Sequence, residues 1–337
     1  MLNNNAIGRR ALLKMAAAGS AAMLVPVKSW GATTFRFITP FNYSLAFSPV
    51  LYAKSGGFFD KEGLSVEVIG GKGAALAAQM TIAGQTQSGR TGGANYIVSR
   101  VNDAAPLTSI ATIAQMSPFF VLSSKAAPVA KIGDLKGKTI GLASLGGSME
   151  GTLNLMLKRA GVDAASVNKV KVADNPASFA LVQAKRVDAY FGNTSSMTRL
   201  LASQSEAAAM PVDDGVPGQV YVATPAAIAA NGDDYVKFLR AVHKATVAIV
   251  DAPNLEPIVK SVAGAFSIPG AKDLAVASRD LKQNSENWMA KGRGNLLRNV
   301  PEMWASAVDA LSDAGLIKTK VDAKTLYTNA LLDKALG

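Results

Sequence analysis

Along the chain, apolar residues fall into two alternating spacings. In TFRFITP (34–40) and LSVEVIG (64–70) they alternate with polar residues, the period of a half-buried strand. Residues 48–56 and GAALAAQMTIAG (73–84) carry helical spacing instead, with Pro49 suited to a first turn and Gly84 to a stop. The rhythm continues with a short strand TQSGRT (86–91), a helix ANYIVSRVNDA (94–104) and a buried strand LTSIATIAQ (107–115). It then restarts. Strands over 118–126, 138–144, 168–174 and 187–193 alternate with helical patterns over 132–138, 147–161, 176–186 and 195–204. QVYVAT from 219 is one more strand, followed only by helical patterns at 233–252, 255–266, 270–283, 300–316 and 322–336. Such alternation predicts an α/β protein of two lobes, each a mostly parallel sheet flanked by helices. The restart predicts a lobe of 119–223 inserted into one made of 33–118 and 224–337. The chain would cross between them near 117–125 and 218–225 and end in a helical C-terminal tail.

Composition narrows the chemistry. Of the 337 residues, 49% are hydrophobic and 18% charged, an ordinary globular balance. The chain has no cysteine, which excludes disulfides, thiolate catalysis and cysteine-ligated metal. Its one histidine, His243, sits in a helical pattern read as a solvated face, so no histidine-based metal site or triad is expected. Trp288 and Trp304 read as core or rim residues.

The first residues read as an export signal: Arg9-Arg10-Ala11-Leu12-Leu13-Lys14, an apolar run to Val25, then small residues around Gly31-Ala32. The run is too short for a membrane span, which needs roughly 20 residues. The paired arginines resemble a twin-arginine signal, with Gly8 in place of the usual Ser or Thr; a general secretory signal is the alternative. Cleavage of residues 1–31 would remove four basic residues and no acid, changing the net charge from +11 to +7 (31 basic against 24 acidic). The remaining lysines are scattered and form no basic stripe interleaved with aromatics, so nucleic acid is not an expected partner.

The stretch SPVLYAKSGGFFDKEGLSVEV (48–68) joins a helix to a strand through Gly56-Gly57, Phe58-Phe59 and Gly63. It resembles a motif of periplasmic binding proteins of ABC importers, the nitrate/sulfonate/taurine and thiamine-pyrimidine-precursor type. IGDLKGKTIGLASLGGS (132–148) and GVDAASVNKVKVADNPASFALVQAKRVDAYFGN (161–193) are similar to further family segments, in the family's order. The resemblance implies the type II, two-lobed periplasmic binding protein fold. It further implies a periplasmic monomer that captures a small solute by hinge closure and delivers it to a membrane permease with its ATPase. No cofactor and no stable membrane insertion are implied. The opening motif itself reads as structural, building a lobe without touching ligand.

In open α/β sheets ligands bind beyond the carboxyl ends of strands, where helix N-termini offer free N–H groups. Four places qualify. Phe41-Asn42-Tyr43 follow the first strand and offer aromatic faces and an amide, or a packed turn. Arg90-Thr91-Gly92-Gly93 and Asn95 combine an arginine suited to a carboxylate or sulfonate with glycines that admit close approach; an arginine facing solvent or an acidic neighbour is the commoner arrangement. Ser144, Gly146, Gly147 and Ser148 sit where G-x-x-x-x-G-G-S runs from Gly141, but Gly147 replaces the lysine of a phosphate loop. Without that lysine the segment suits a carboxylate, sulfonate or carbonyl oxygen rather than a nucleotide. Asn175, Asn193 and Thr194 open helices and either cap them or line the cleft, and Ser117 marks a crossing.

These groups are neutral apart from one arginine, so the expected cleft is poor in charge and the expected ligand neutral or monoanionic: a sulfonate, carboxylate or pyrimidine-like compound. Two alternatives stand beside solute capture for import. One is a thiamine-pyrimidine-synthase-like enzyme, disfavoured by the missing cysteine and the single distant histidine. The other is a ligand-binding partner of a signalling receptor.

Overall fold

The computed structural model describes residues 34–337; the expected export signal lies outside them. Two five-stranded sheets organise the chain. The first contains β1 (Phe35–Thr39), β2 (Val66–Gly70), β3 (Ser88–Gly92) and β4 (Thr108–Ala114). The second contains β5 (Phe119–Ser124), β6 (Thr139–Leu142), β7 (Asn168–Lys171), β8 (Ala189–Asn193) and β9 (Ala207–Val212). The last strand, β10 (Gln219–Ala223), returns to the first sheet between β3 and β4. The expected division had placed residues 219–223 with the second sheet. A strand buried on both faces carries no alternation to say which sheet it joins.

The two sheets share one plan, with orders β2-β1-β3-β10-β4 and β7-β6-β8-β5-β9. In each, four strands run one way, while β10 or β5 pairs antiparallel with both its neighbours. Both reversed strands are the first after a crossing, at 115–118 and 213–218. Each sheet is mixed, yet mostly parallel in direction, as the pattern predicts.

β9 was not visible in the pattern. Its sequence AAAMPV is poor in strand formers, and Pro211 is tolerated because β9 lies at the edge and pairs only with β5. The helix expected at 233–252 is longer, Pro225–Val250, with a kink at Asn231. The helix expected at 270–283 runs over Leu274–Trp288 instead.

The opening motif builds the first sheet's core, as expected. Gly57 and Gly63 take left-handed backbone (φ 71° and 64°), a conformation that costs glycine little. Phe59 is fully buried and stacks on Phe238 of helix Pro225–Val250, with centroids 5.5 Å apart, and Phe35 stacks there at 4.6 Å. Glu62 accepts from Arg240 at 3.1 Å and Lys244 at 2.7 Å, tying the motif to the same helix. Glu62→Gln is expected to lower stability by about 1–2 kcal/mol, measured by urea unfolding, because a largely shielded carboxylate loses two charge-assisted bonds. Trp288 and Trp304 are both buried, in cores on either side of the first sheet. His243 is half-buried rather than on a solvated face, and burial lowers its pKa.

Candidate functional site

The carboxyl ends of the parallel strands in both sheets converge. From the first sheet come the segments after β1 and β2 and the end of β3; from the second come those after β6, β7 and β8. They enclose an inner recess of about 420 Å³ free of protein atoms, its open mouth included. An outer compartment of about 1190 Å³ shares Phe41, Phe47, Asp174 and Asn193 with it. The space open to the centre of a water-sized sphere is about 30 Å³ in the recess and about 440 Å³ in the outer compartment, so only the latter falls within the roughly 300–1,000 Å³ of small-molecule sites. No residue of 48–68 lines either space, in keeping with the structural reading of that motif.

Arg90 dominates the recess. It is 3% exposed, donating from Nη1 to Ala46 O at 2.7 Å and from Nε to Gln219 Oε1 at 3.3 Å. Its guanidinium lies over the Phe47 ring, 4.8 Å from the centroid. Burial lowers its pKa to about 10, so it remains charged at neutral pH. Neither commoner arrangement holds here, because it is out of solvent and has no carboxylate within 4.0 Å among the described residues. A buried charge without a counter-charge is costly, and a bound anion would supply one.

Ser144 and Ser148 border the recess opposite, with Ser148 opening helix Ser148–Arg159. The start of that helix borders the recess, and its first-turn N–H groups favour negative charge nearby. Gly146 N donates to Glu150 Oε2 at 2.6 Å, so this donor is already used. Asp174 contributes the only carboxylate among the lining residues of the two spaces. Burial raises its pKa to about 6, while Ser196, the Asn193 N–H and Arg199 pull it down.

Eight expected residues line the two spaces: Phe41, Asn42, Tyr43, Arg90, Ser144, Ser148, Asn175 and Asn193. Asn175 and Asn193 also act as helix caps, accepting from Ser178 N at 3.2 Å and Ser196 N at 3.0 Å. The other eight lie elsewhere. Thr91, Asn95 and Gly146 border a separate cavity, and Ser117 and Thr194 another. Gly92, Gly93 and Gly147 pack against Ser148, Pro217 and Ser144. Several of these residues join the two sheets instead: Asn95 Nδ2 donates to Gly146 O at 2.7 Å, and Gly92 lies directly against Ser148. The pattern missed Phe47, Pro118, Phe119, Met149, Gln219, Lys72, Lys171 and Arg199. For Lys72 the position just past the end of β2 was an available sign. The charge-poor cleft expected from sequence is thus corrected: four cations and one carboxylate line the joined spaces.

Among the described residues, no His, Cys, Asp or Glu cluster could hold a metal, and no helix is long and apolar enough to cross a membrane. No curated protein sequence matches the chain. Solved structures do. The alkanesulfonate-binding protein SsuA from Xanthomonas axonopodis pv. citri, bound to MOPS, is similar at 15% identity and TM-score 0.66, over 88% of this chain and 98% of that one. The periplasmic nitrate-binding protein NrtA from Synechocystis PCC 6803 is similar at 14% identity and TM-score 0.66, over 90% and 88%. The desulfurization enzyme DSZB shares the fold more distantly, at 13% identity and TM-score 0.52, over 90% and 99%. These likenesses show the periplasmic binding protein fold. The family model described as NMT1/THI5 like matches residues 44–255, and the chain belongs to that family.

Proposed function

We propose that the protein is a periplasmic solute-binding component of an ABC importer. It acts as a monomer of two lobes, captures a small organic anion between them by hinge closure, and presents it to a membrane permease driven by an ATPase. The observation that carries this reading is Arg90, a buried, charged guanidinium without a carboxylate partner, at the base of a recess between the sheets. A sulfonate or carboxylate, on an aliphatic or pyrimidine-like body, suits that cation, the Phe41 and Phe47 rings and the serines opposite. Solute-binding proteins with this fold support the role.

Catalysis is the second reading, favoured by the shared fold of a desulfurization enzyme. The lining contains no histidine or cysteine, so a nucleophile would lack its commonest activators. A signalling receptor in place of the permease would use the same site and differ only in the membrane partner.

The test is a thermal-shift and calorimetric screen of sulfonates, carboxylates and pyrimidines on wild type and Arg90→Met. A ligand at about 100 times its Kd adds about 2.7 kcal/mol of stability. Loss of a charge-assisted contact worth about 1.5–3 kcal/mol should weaken binding roughly 10- to 100-fold in Arg90→Met. Unchanged affinity in that variant, or turnover of a screened compound, would count against the proposal.

A further inference from the structure

The outer compartment has a chemistry of its own. Lys72 follows β2, Lys171 ends β7, and Arg199 projects from helix Thr194–Ser203, so both sheets contribute cations to one space. Among the described residues none of the three lies within 4.0 Å of a carboxylate oxygen, whereas the nearby Lys169 is paired with Glu150 at 3.3 Å. Asp174 is the only acid in the lining. Ser44, on the same wall, has a buried Oγ with no hydrogen-bond partner. The two compartments meet at Phe41, Phe47, Asp174 and Asn193, so two rings, an amide and one carboxylate border the passage.

From this arrangement we infer that the natural ligand is a dianion. One anionic group meets Arg90 in the recess, an apolar or aromatic middle passes Phe41 and Phe47, and a second anionic group is held by Lys72, Lys171 and Arg199. This rests on the solute-binding reading and adds an outer anion subsite to it. General attraction of anions to the mouth is the competing account. It also favours two charges over one, because the energy scales with ligand charge, but that gain is screened by salt and does not depend on the spacing between the ligand's charges. A second charge-assisted contact instead rewards only a dianion whose second group reaches these cations, so affinity peaks at one probe length.

The experiment measures affinities by calorimetry at fixed ionic strength for matched probes: monocarboxylates against α,ω-dicarboxylates of increasing length, and benzenesulfonate against 4-sulfobenzoate. Wild type should bind the best-fitting dianion at least about tenfold more tightly than its monoanion. In Lys72→Met/Lys171→Met that preference should fall to about threefold or less, with dianion affinity falling by a larger factor than monoanion affinity. Both substituted lysines are exposed, so the variant should fold, and its melting temperature without ligand checks that. An Arg90-dependent monoanion site with no dianion preference, a dianion preference indifferent to probe length, or equal loss for both probe classes in the double variant, overturns the inference and leaves the solute-binding reading standing. No binding by any member of either series overturns both.

Discussion

Gly92→Ala should weaken solute binding on the order of 10- to 100-fold while leaving the ligand-free melting temperature within about 2 °C of wild type. Gly92 ends β3 in the first sheet, with φ −79° and ψ 144°, extended backbone that any residue adopts. The obstacle is therefore across the cleft. A Cβ at this position would stand 2.6 Å from Ser148 Oγ and 3.0 Å from Ser148 Cα, at the start of a helix of the second sheet. Overpacking of this kind costs about 1–3 kcal/mol. The cost falls only on the arrangement in which the sheets touch, because each sheet can keep its own core. If closure is needed for capture, apparent affinity drops with the population of the closed state. Ser148→Gly in the same chain removes the Oγ and Cβ and should recover much of the affinity. Wild-type affinity in Gly92→Ala, or a loss of fold without ligand, would contradict this account.

The second large effect concerns pH. Burial raises the pKa of Asp280 to about 7 and those of Asp174 and Asp214 to about 6. Asp280 is 2% exposed and accepts from Asn284 Nδ2 at 2.7 Å, while Ser195 and Arg199 favour its charged form and Asp174 opposes it. Between the unfolded value near 4 and these raised values the native state binds more protons than the unfolded one. Their contribution to stability is therefore complete below pH 4 and is lost as pH rises to about 7. Each pKa unit corresponds to about 1.4 kcal/mol. Asp280→Asn, which mimics the protonated form, should be more stable than wild type by roughly 2–4 kcal/mol above pH 7.5 and nearly equal to it at pH 4. Urea unfolding across that range measures the difference. A variant less stable than wild type at pH 8 would show that the Asp280 charge is compensated in the fold.

The architecture was legible because strands that alternate or run apolar, broken by glycine and proline, leave their period in the chain. β9 escaped because its alanines carry no such period, and β10 was found but allotted to the second sheet rather than the first. The candidate site was half legible. Residues just past strand ends, such as Asn42, Ser144 and Asn175, follow from the rule that ligands sit at carboxyl ends. Arg90 was found on the same ground, but its burial and lack of a carboxylate partner depend on Ala46, Phe47 and Gln219, which only the tertiary structure brings to it. The glycines at 92 and 93 were read as room for a ligand. They are room for neighbouring protein, because a missing Cβ admits either and sequence does not say which.

Crystallising the protein with the tightest-binding anion of the screen tests the central claim most directly. The account predicts ligand density between the sheets, with an anionic oxygen on the Arg90 guanidinium and the body against Phe41 and Phe47. Density confined to the outer surface, or a ligand whose anionic group does not reach Arg90, would contradict it.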